Sequence, residues 1–318
     1  MRAIHYTNGV ARYLDDYPRP VPKPGEALVK ITLAALCNTD REILRGYSPG
    51  FSGVMGHEFV GIVEDAPDVS LIGKRVVGEI NLSCFEDDCL YCGSYRDHHC
   101  LNRSVLGIIA KDGCFADYIT LPQRLLHVIP DSLTDEIAIF AEPLAAAFRI
   151  IEQSAIRPPA PVALVGDGRL AYMIGQVIAA RGVNLTVYGK DRNKLELFAP
   201  FADTRLVDDL NLDRAHDTYE VVIDATGNPD SLATSIALTR SEGLLVMKST
   251  YADKAEINMS EVVVRELTIQ GSRCGPFEPA LDALRCGQIT LPPVEVFAPE
   301  DFEQALASEA FKVALDFT

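Results

Sequence analysis

The sequence predicts a two-domain α/β protein, a barrel-like β domain followed by a doubly wound parallel sheet. As far as Leu121 the chain is a series of short, apolar, β-leaning runs set apart by Gly, Pro and Asn turns, the pattern of a barrel-like sheet. From Val162 onward strand-like and helix-like stretches alternate, the pattern of a parallel sheet covered on both faces. Pro158, Pro159 and Pro161 mark a linker between the two regimes. At 318 residues the chain is long for one core, which agrees with two domains. The boundaries are expected at residues 1–150 for the first domain, with 290–318 returning to it, and at 151–289 for the second.

The elements follow in order. Met1–Leu14 reads as a hairpin about Asn8-Gly9. Pro18, Pro20, Pro22, Pro24 and Gly25 make an extended loop, and the apolar run Ala27–Ala34 then delivers Cys37. Asp40–Arg45 is expected as a short helix capped near Thr39. Val54–Val63, Lys74–Ile80, Ser104–Ile109 and Phe115–Leu121 read as strands. Leu133–Gln153 changes to helical period and carries Glu142. In the second half strands are expected at Val162–Val165, Asn184–Tyr188, Arg205–Val207, Glu220–Asp224, Leu244–Lys248 and Leu267–Gly271. Helices fall between them near Leu170–Arg181, Asn193–Phe198 and Ser231–Thr239. A last helix, Asp301–Ser308, and a strand, Phe311–Phe317, return to the first domain.

Two groups of residues carry metal chemistry. Cys37-Asn38-Thr39-Asp40 and Gly56-His57-Glu58 supply a thiolate, an imidazole and carboxylates, a mixed donor set suited to Zn²⁺ with three protein ligands and an open position. The third ligand is Glu142, in Ala141-Glu142-Pro143-Leu144, or else Glu58. Asp40 is placed to hydrogen-bond His57 and fix its tautomer. Cys84, Cys89, Cys92 and Cys100 form a second group, enough for a closed structural zinc site. Disulfides are the alternative; the N-terminus carries no signal-peptide pattern, and a reducing cytosol argues against them. Cys114, Cys274 and Cys286 read as packed residues.

Gly166-Asp167-Gly168-Arg169-Leu170-Ala171 follows a strand and opens a helix, the setting of a dinucleotide-binding turn. Gly166 permits the tight turn, Gly168 lets the backbone approach a pyrophosphate, and Ala171 allows close helix–strand packing. Thr226 and Ser249, at the ends of the fourth and fifth strands, lie at the edge where such sheets bind ligands. The second strand ends in Gly189, Lys190, Asp191 and Arg192, where NAD enzymes place an acidic residue. Gly189 leaves room, and Lys190 and Arg192 supply positive charge, so NADP is expected; Asp191, turned inward, would restore NAD.

In this order, Cys37-Asn-Thr-Asp40, Gly56-His57-Glu58-Phe-Val-Gly61, the four-cysteine lobe, Glu142-Pro143-Leu144-Ala145 and the glycine turn resemble the zinc-containing medium-chain alcohol and polyol dehydrogenases. The likeness spans essentially the whole chain. Two departures stand out: the first cysteine gap of the lobe is four residues where the family usually has two, and Pro67 stands where it normally has Gly or Ala. The resemblance implies a GroES-like catalytic domain and a Rossmann domain. It further implies hydride transfer between an alcohol carbon and a nicotinamide, and a proton relay through Thr39. Lys312 is implied to reach the cofactor phosphates or the carboxylates of the zinc site. A carboxylate as third ligand resembles the polyol, sugar and amino-alcohol branches. Dimers formed at the sheet edge around Leu267–Gly271 are expected, as a homodimer or a dimer of dimers. The rivals are a zinc-free quinone or enone reductase on the same fold, and a non-catalytic cofactor-binding protein.

Charge and hydropathy exclude other classes. Lys plus Arg number 29 against 45 Asp plus Glu, a formal charge of −16 that repels nucleic acid. No apolar run approaches bilayer length, so no membrane partner is expected. A cytosolic enzyme acting on a small-molecule substrate is the expectation.

Overall fold

The structure is a computed structural model that describes residues 1–92, 96–250 and 254–318. In the first part of the chain β1 (Ala3–Thr7) and β2 (Val10–Leu14) form the expected hairpin. Asn8 and Gly9 both have positive φ, 51° and 84°, as the favoured two-residue turn requires. Then come β3 (Glu26–Ala35), α1 (Asn38–Leu44), β4 (Gly53–Val54), β5 (Glu58–Asp65), β6 (Arg75–Gly78), β7 (Asn81–Leu82) and β8 (Ser104–Val105). β9 (Tyr118–Pro122), β10 (Leu126–Val128), α2 (Asp135–Ala138) and α3 (Ala141–Gln153) follow. The single helix expected over Leu133–Gln153 is therefore two, and Ile139 and Phe140 at the break are both buried.

The second half alternates as the sequence requires: β11 (Pro161–Val165), α4 (Arg169–Ala179), β12 (Asn184–Gly189), α5 (Arg192–Glu196), β13 (Asp203–Leu206) and α6 (Leu212–Ala215). It continues through β14 (Tyr219–Asp224), α7 (Ser231–Leu238), β15 (Thr239–Met247), α8 (Met259–Val264) and β16 (Thr268–Gly271). The six strands are parallel in the order β13-β12-β11-β14-β15-β16. This is the doubly wound order in which ligands bind where the order reverses, at the carboxyl ends of β11 and β14. Its core includes Ala163, Val165, Val222, Leu238 and Leu245.

The chain then runs through α9 (Phe277–Arg285), β17 (Val294–Phe297), α10 (Phe302–Ala307) and β18 (Lys312–Asp316). β18 pairs antiparallel with β3 and completes a sheet in the order β10-β6-β5-β3-β18-β17, with β9 also on β3. Two compact units result, Met1–Glu142 with Phe277–Thr318, and Pro143–Pro276. The return to the first unit begins at Phe277 because α9, a helix the sequence reading did not place, packs there: the Phe277 ring stacks on His127 at 4.8 Å. The fold class is α/β, a GroES-like β domain with a parallel Rossmann sheet.

Candidate functional site

In the first unit the register of two strands assembles the site. β3 ends opposite the start of β5, with Ala35 paired to Glu58, so Cys37 just beyond β3 meets His57 and Glu58 at the opening of β5. One donor atom from each of these three residues lies within 4.8 Å of the others. Gly56 makes the approach possible: its φ is 91°, and a Cβ there would stand 2.3 Å from the Phe115 ring. His57 and Glu58 are only 3% and 2% exposed, whereas Cys37 is half-buried, so the set opens on the cysteine side.

Asp40 ties the set together. α1 begins at Asn38, with Cys37 rather than Thr39 as its N-cap, which places Asp40 in the first turn. Its carboxylate Oδ2 accepts the Cys37 N–H at 2.8 Å, while Oδ1 faces His57 Nδ1 at 3.5 Å. Both of these facing atoms are buried, and neither has a hydrogen-bond partner among the described residues. An approach of about half an ångström makes that bond, fixes the proton on Nδ1 and leaves Nε2 to ligate. Burial by itself lowers the His57 pKa, but the Asp40 carboxylate and then Cys37 outweigh it and carry it well above the ordinary imidazole value. A pocket that draws a proton onto its histidine has a surplus of negative charge, which is what a cation needs.

The Glu58 carboxylate accepts a hydrogen bond from Lys312 Nζ, which puts Lys312 beside the donor set of Cys37, His57 and Glu58. Thr39 Oγ1 is 3.7 Å from Cys37 Sγ, and both residues are half-buried. Glu142 lies half-buried in the first turn of α3, outside the set formed by Cys37, His57 and Glu58. Cys114 is buried and its Sγ lies against the Glu58 carbonyl at 3.4 Å; burial raises its pKa well above normal, as befits an inert packed thiol.

The four lobe cysteines converge as a second set. Their sulfurs stand 3.6 Å (Cys84–Cys92), 3.9 Å (Cys89–Cys100) and 3.5 Å (Cys84–Cys100) apart. A tetrahedron with Zn–S of about 2.3 Å has edges of about 3.8 Å, so the donors fit zinc. Cys84 belongs to the set despite the long gap that follows it. Backbone N–H groups of Cys92 and Tyr91 pull the Cys89 thiol down to about 7, and that of Cys84 helps lower Cys100. Burial pushes Cys92 up to about 12. Thiolates this crowded oppose one another's ionisation, and a divalent cation relieves the opposition.

In the second unit Gly166 has φ 125°, and a Cβ on it would stand 2.8 Å from the Ala225 carbonyl, so only glycine fits the turn. Gly168 opens on free space, no side chain caps α4 behind it, and Ala171 is fully buried. An uncapped helix N-terminus beneath an open glycine suits a pyrophosphate. The side chains of Thr226 and Ser249 turn inward: both approach the buried carboxylate of Asp224, at 2.9 and 3.3 Å. Lys190 and Arg192 are exposed. The room above Gly189 is filled, because a Cβ there would meet the Asp167 side chain at 2.7 Å. Asp167 is the residue that sequence reasoning missed; the signal was an acidic residue inside the glycine turn.

Residues 23–131 match the alcohol dehydrogenase GroES-like domain. An L-threonine 3-dehydrogenase of Xanthomonas euvesicatoria pv. vesicatoria is 29% identical over 81% of this chain and 80% of its own length. A sorbitol dehydrogenase of Halalkalibacterium halodurans is 27% identical over 85% and 84%. A zinc-binding dehydrogenase from Sinorhizobium meliloti 1021, solved bound to NADP, superposes with a TM-score of 0.87 at 25% identity, covering 99% of this chain and 98% of that one. The domain match, these relatives and the two metal-suited donor sets together support a place in the zinc-containing medium-chain alcohol and polyol dehydrogenase family.

Proposed function

We propose that this protein is a zinc-dependent oxidoreductase that moves a hydride between a hydroxyl-bearing carbon of a polyol, sugar or amino alcohol, or the matching aldehyde or ketone, and a nicotinamide dinucleotide. The convergence of Cys37, His57 and Glu58 on one point, open on one side and braced by Asp40, carries the reading. A zinc-free reductase on this fold has no use for such a set. Cys37, His57 and Glu58 would hold the ion, with Glu142 the alternative third ligand. Zinc, when bound, supplies a Lewis acid that makes a substrate hydroxyl more acidic. Thr39, 3.7 Å from the Cys37 sulfur, would accept that hydroxyl proton and pass it on. Asp40 holds the Cys37 backbone and the His57 ring in position, and Lys312 offsets the charge of Glu58. Cys84, Cys89, Cys92 and Cys100 would hold a structural zinc. Threonine and sorbitol, which name the two curated relatives, both carry hydroxyls, which supports the substrate class.

For the dinucleotide, the exposed Lys190 and Arg192 support NADP and the Asp167 carboxylate over Gly189 opposes it. A homodimer or dimer of dimers in the cytosol completes the reading. No disulfide joins any of the eight cysteines, and no helix among the described residues is long and apolar enough to cross a membrane.

Elemental analysis of purified protein tests the metals: two zinc ions per chain are expected, one means that the lobe is not a zinc site, and none removes the mechanism. A panel of polyols, sugars, amino alcohols and aldehydes, followed by the absorbance of the reduced nicotinamide, tests the reaction. Cys37→Ala is expected to abolish turnover and to leave dinucleotide binding intact, since the glycine turn lies in the other unit.

A further inference from the structure

We infer that Asp167, the acidic residue inside the glycine turn, reads the adenosine ribose and makes this protein prefer NAD to NADP. The inference rests on the nicotinamide-dinucleotide reading of the second unit. In a doubly wound sheet the adenosine ribose lies at the carboxyl end of the second strand, where NAD enzymes present a carboxylate to the ribose hydroxyls. Here the second strand is β12, and it ends in Gly189, which has no side chain to offer. The carboxylate at that place comes from elsewhere. Asp167 Oδ2 accepts the backbone N–H groups of Lys190 at 2.7 Å and Asp191 at 2.8 Å, the two residues just past the strand. This explains why residue 189 is glycine: a Cβ would stand 2.7 Å from both Asp167 Cβ and Oδ2 and 2.8 Å from Leu195 Cδ2. The space that the sequence left for a 2′-phosphate holds a carboxylate instead.

The bonding of Asp167 fits a ribose reader. Oδ2 is fixed by two amides, which sets the orientation of the carboxylate. Oδ1 has no protein partner among the described residues and can accept from a hydroxyl. The nearby acidic alternative is engaged: Asp191 Oδ1 accepts the N–H groups of Asn193 at 2.9 Å and Lys194 at 3.3 Å and so caps α5. Lys190 and Arg192 remain exposed beside the turn and would serve a 2′-phosphate only if the Asp167 charge were removed.

Calorimetric titration with NAD and with NADP, without substrate, decides the matter. The wild type is expected to bind NAD on the order of ten- to a hundredfold more tightly, the scale of one charge-assisted hydrogen bond gained or one opposed charge. Asp167→Asn keeps an oxygen for the two amides but loses the charge, and is expected to erase most of that ratio. Adding Lys190→Ala to this variant should then weaken NADP binding without affecting NAD. A wild type that binds NADP as tightly as NAD overturns the inference, as does an Asp167→Asn protein with an unchanged ratio. Should that variant not fold, the wild-type ratio alone decides. Binding of neither dinucleotide would instead bring down the cofactor reading of the whole unit, a distinct outcome.

Discussion

Lys312 and Glu58 form a buried pair, with side chains 5% and 2% exposed. Two charges so placed gain little net stability over an apolar pair, but removing one partner leaves the other uncompensated, at about 3–5 kcal/mol. Lys312→Met is therefore expected to destabilise the metal-free protein by about that amount, read from its urea midpoint. Adding Glu58→Gln should restore most of the loss. Zinc at Cys37, His57 and Glu58 would take over part of the lysine's role, so the single variant should lose less stability with zinc present than after chelation. Equal losses in the two states would show that Glu58 does not face the ion and would leave Glu142 as the third ligand. The choice between these two carboxylates was not legible in the sequence. It depends on the pairing of Ala35 with Glu58, a register between strands far apart in the chain.

At the level of elements, what could be read from the chain was whatever a local pattern dictates. Asn8-Gly9 fixes a hairpin by its backbone preference, Gly166 fixes the strand-turn-helix for the same reason, and Gly168 leaves open space at the helix start. The alternation after Val162 gave all six parallel strands. Elements of two or three residues, such as β7, β8 and β10, are too short to show a period, and α9 follows a Gly275-Pro276 turn signal that the sequence reading left unused. The acidic reader of β12 escaped notice because it belongs to another loop and reaches the strand end only in the folded sheet. Contacts of this kind also set the segment Met55–His57. The Gly113 N–H bonds the Val54 carbonyl at 2.7 Å, Cys114 N–H bonds the Gly56 carbonyl at 2.9 Å, and the Phe115 ring closes over Gly56. Gly56→Ala would force a side chain into that ring at positive φ. The expected cost is at least about 2 kcal/mol, from backbone strain together with overpacking. Zinc affinity should fall with it, because His57 is the next residue. Thermal unfolding and a competitive chelator titration check the two effects; unchanged zinc affinity would mean that the turn does not position His57.

For the whole molecule, the second unit leaves a pairing edge and an apolar surface in the same place. β16 is the last strand of the parallel sheet, bonded to β15 on one side, and among the described residues no strand covers its other side. An open row of N–H and C=O groups invites a further strand, and proteins that stay monomeric blunt such edges with charge or proline. β16 reads Thr-Ile-Gln-Gly, with neither. On α8, just before it, Val263 and Val264 are 70% and 80% exposed and Met259 is 57% exposed, and Ile269 on the strand itself is 37% exposed. Exposed apolar residues on the helix and strand at an open edge are the kind of surface that a second subunit would cover. A two-fold axis beside β16 would set the strand against its own copy and join two six-stranded sheets, with each copy covering the apolar residues of the other. We expect a homodimer, or a dimer of dimers, in sedimentation velocity at micromolar concentration. Val263→Lys combined with Val264→Lys should shift the species toward monomer while leaving dinucleotide binding intact, because neither residue lies near the glycine turn in the sheet order. A wild type that sediments as a monomer would mean that this edge stays unpaired, and a double variant that remains dimeric would place the interface on another face of the molecule.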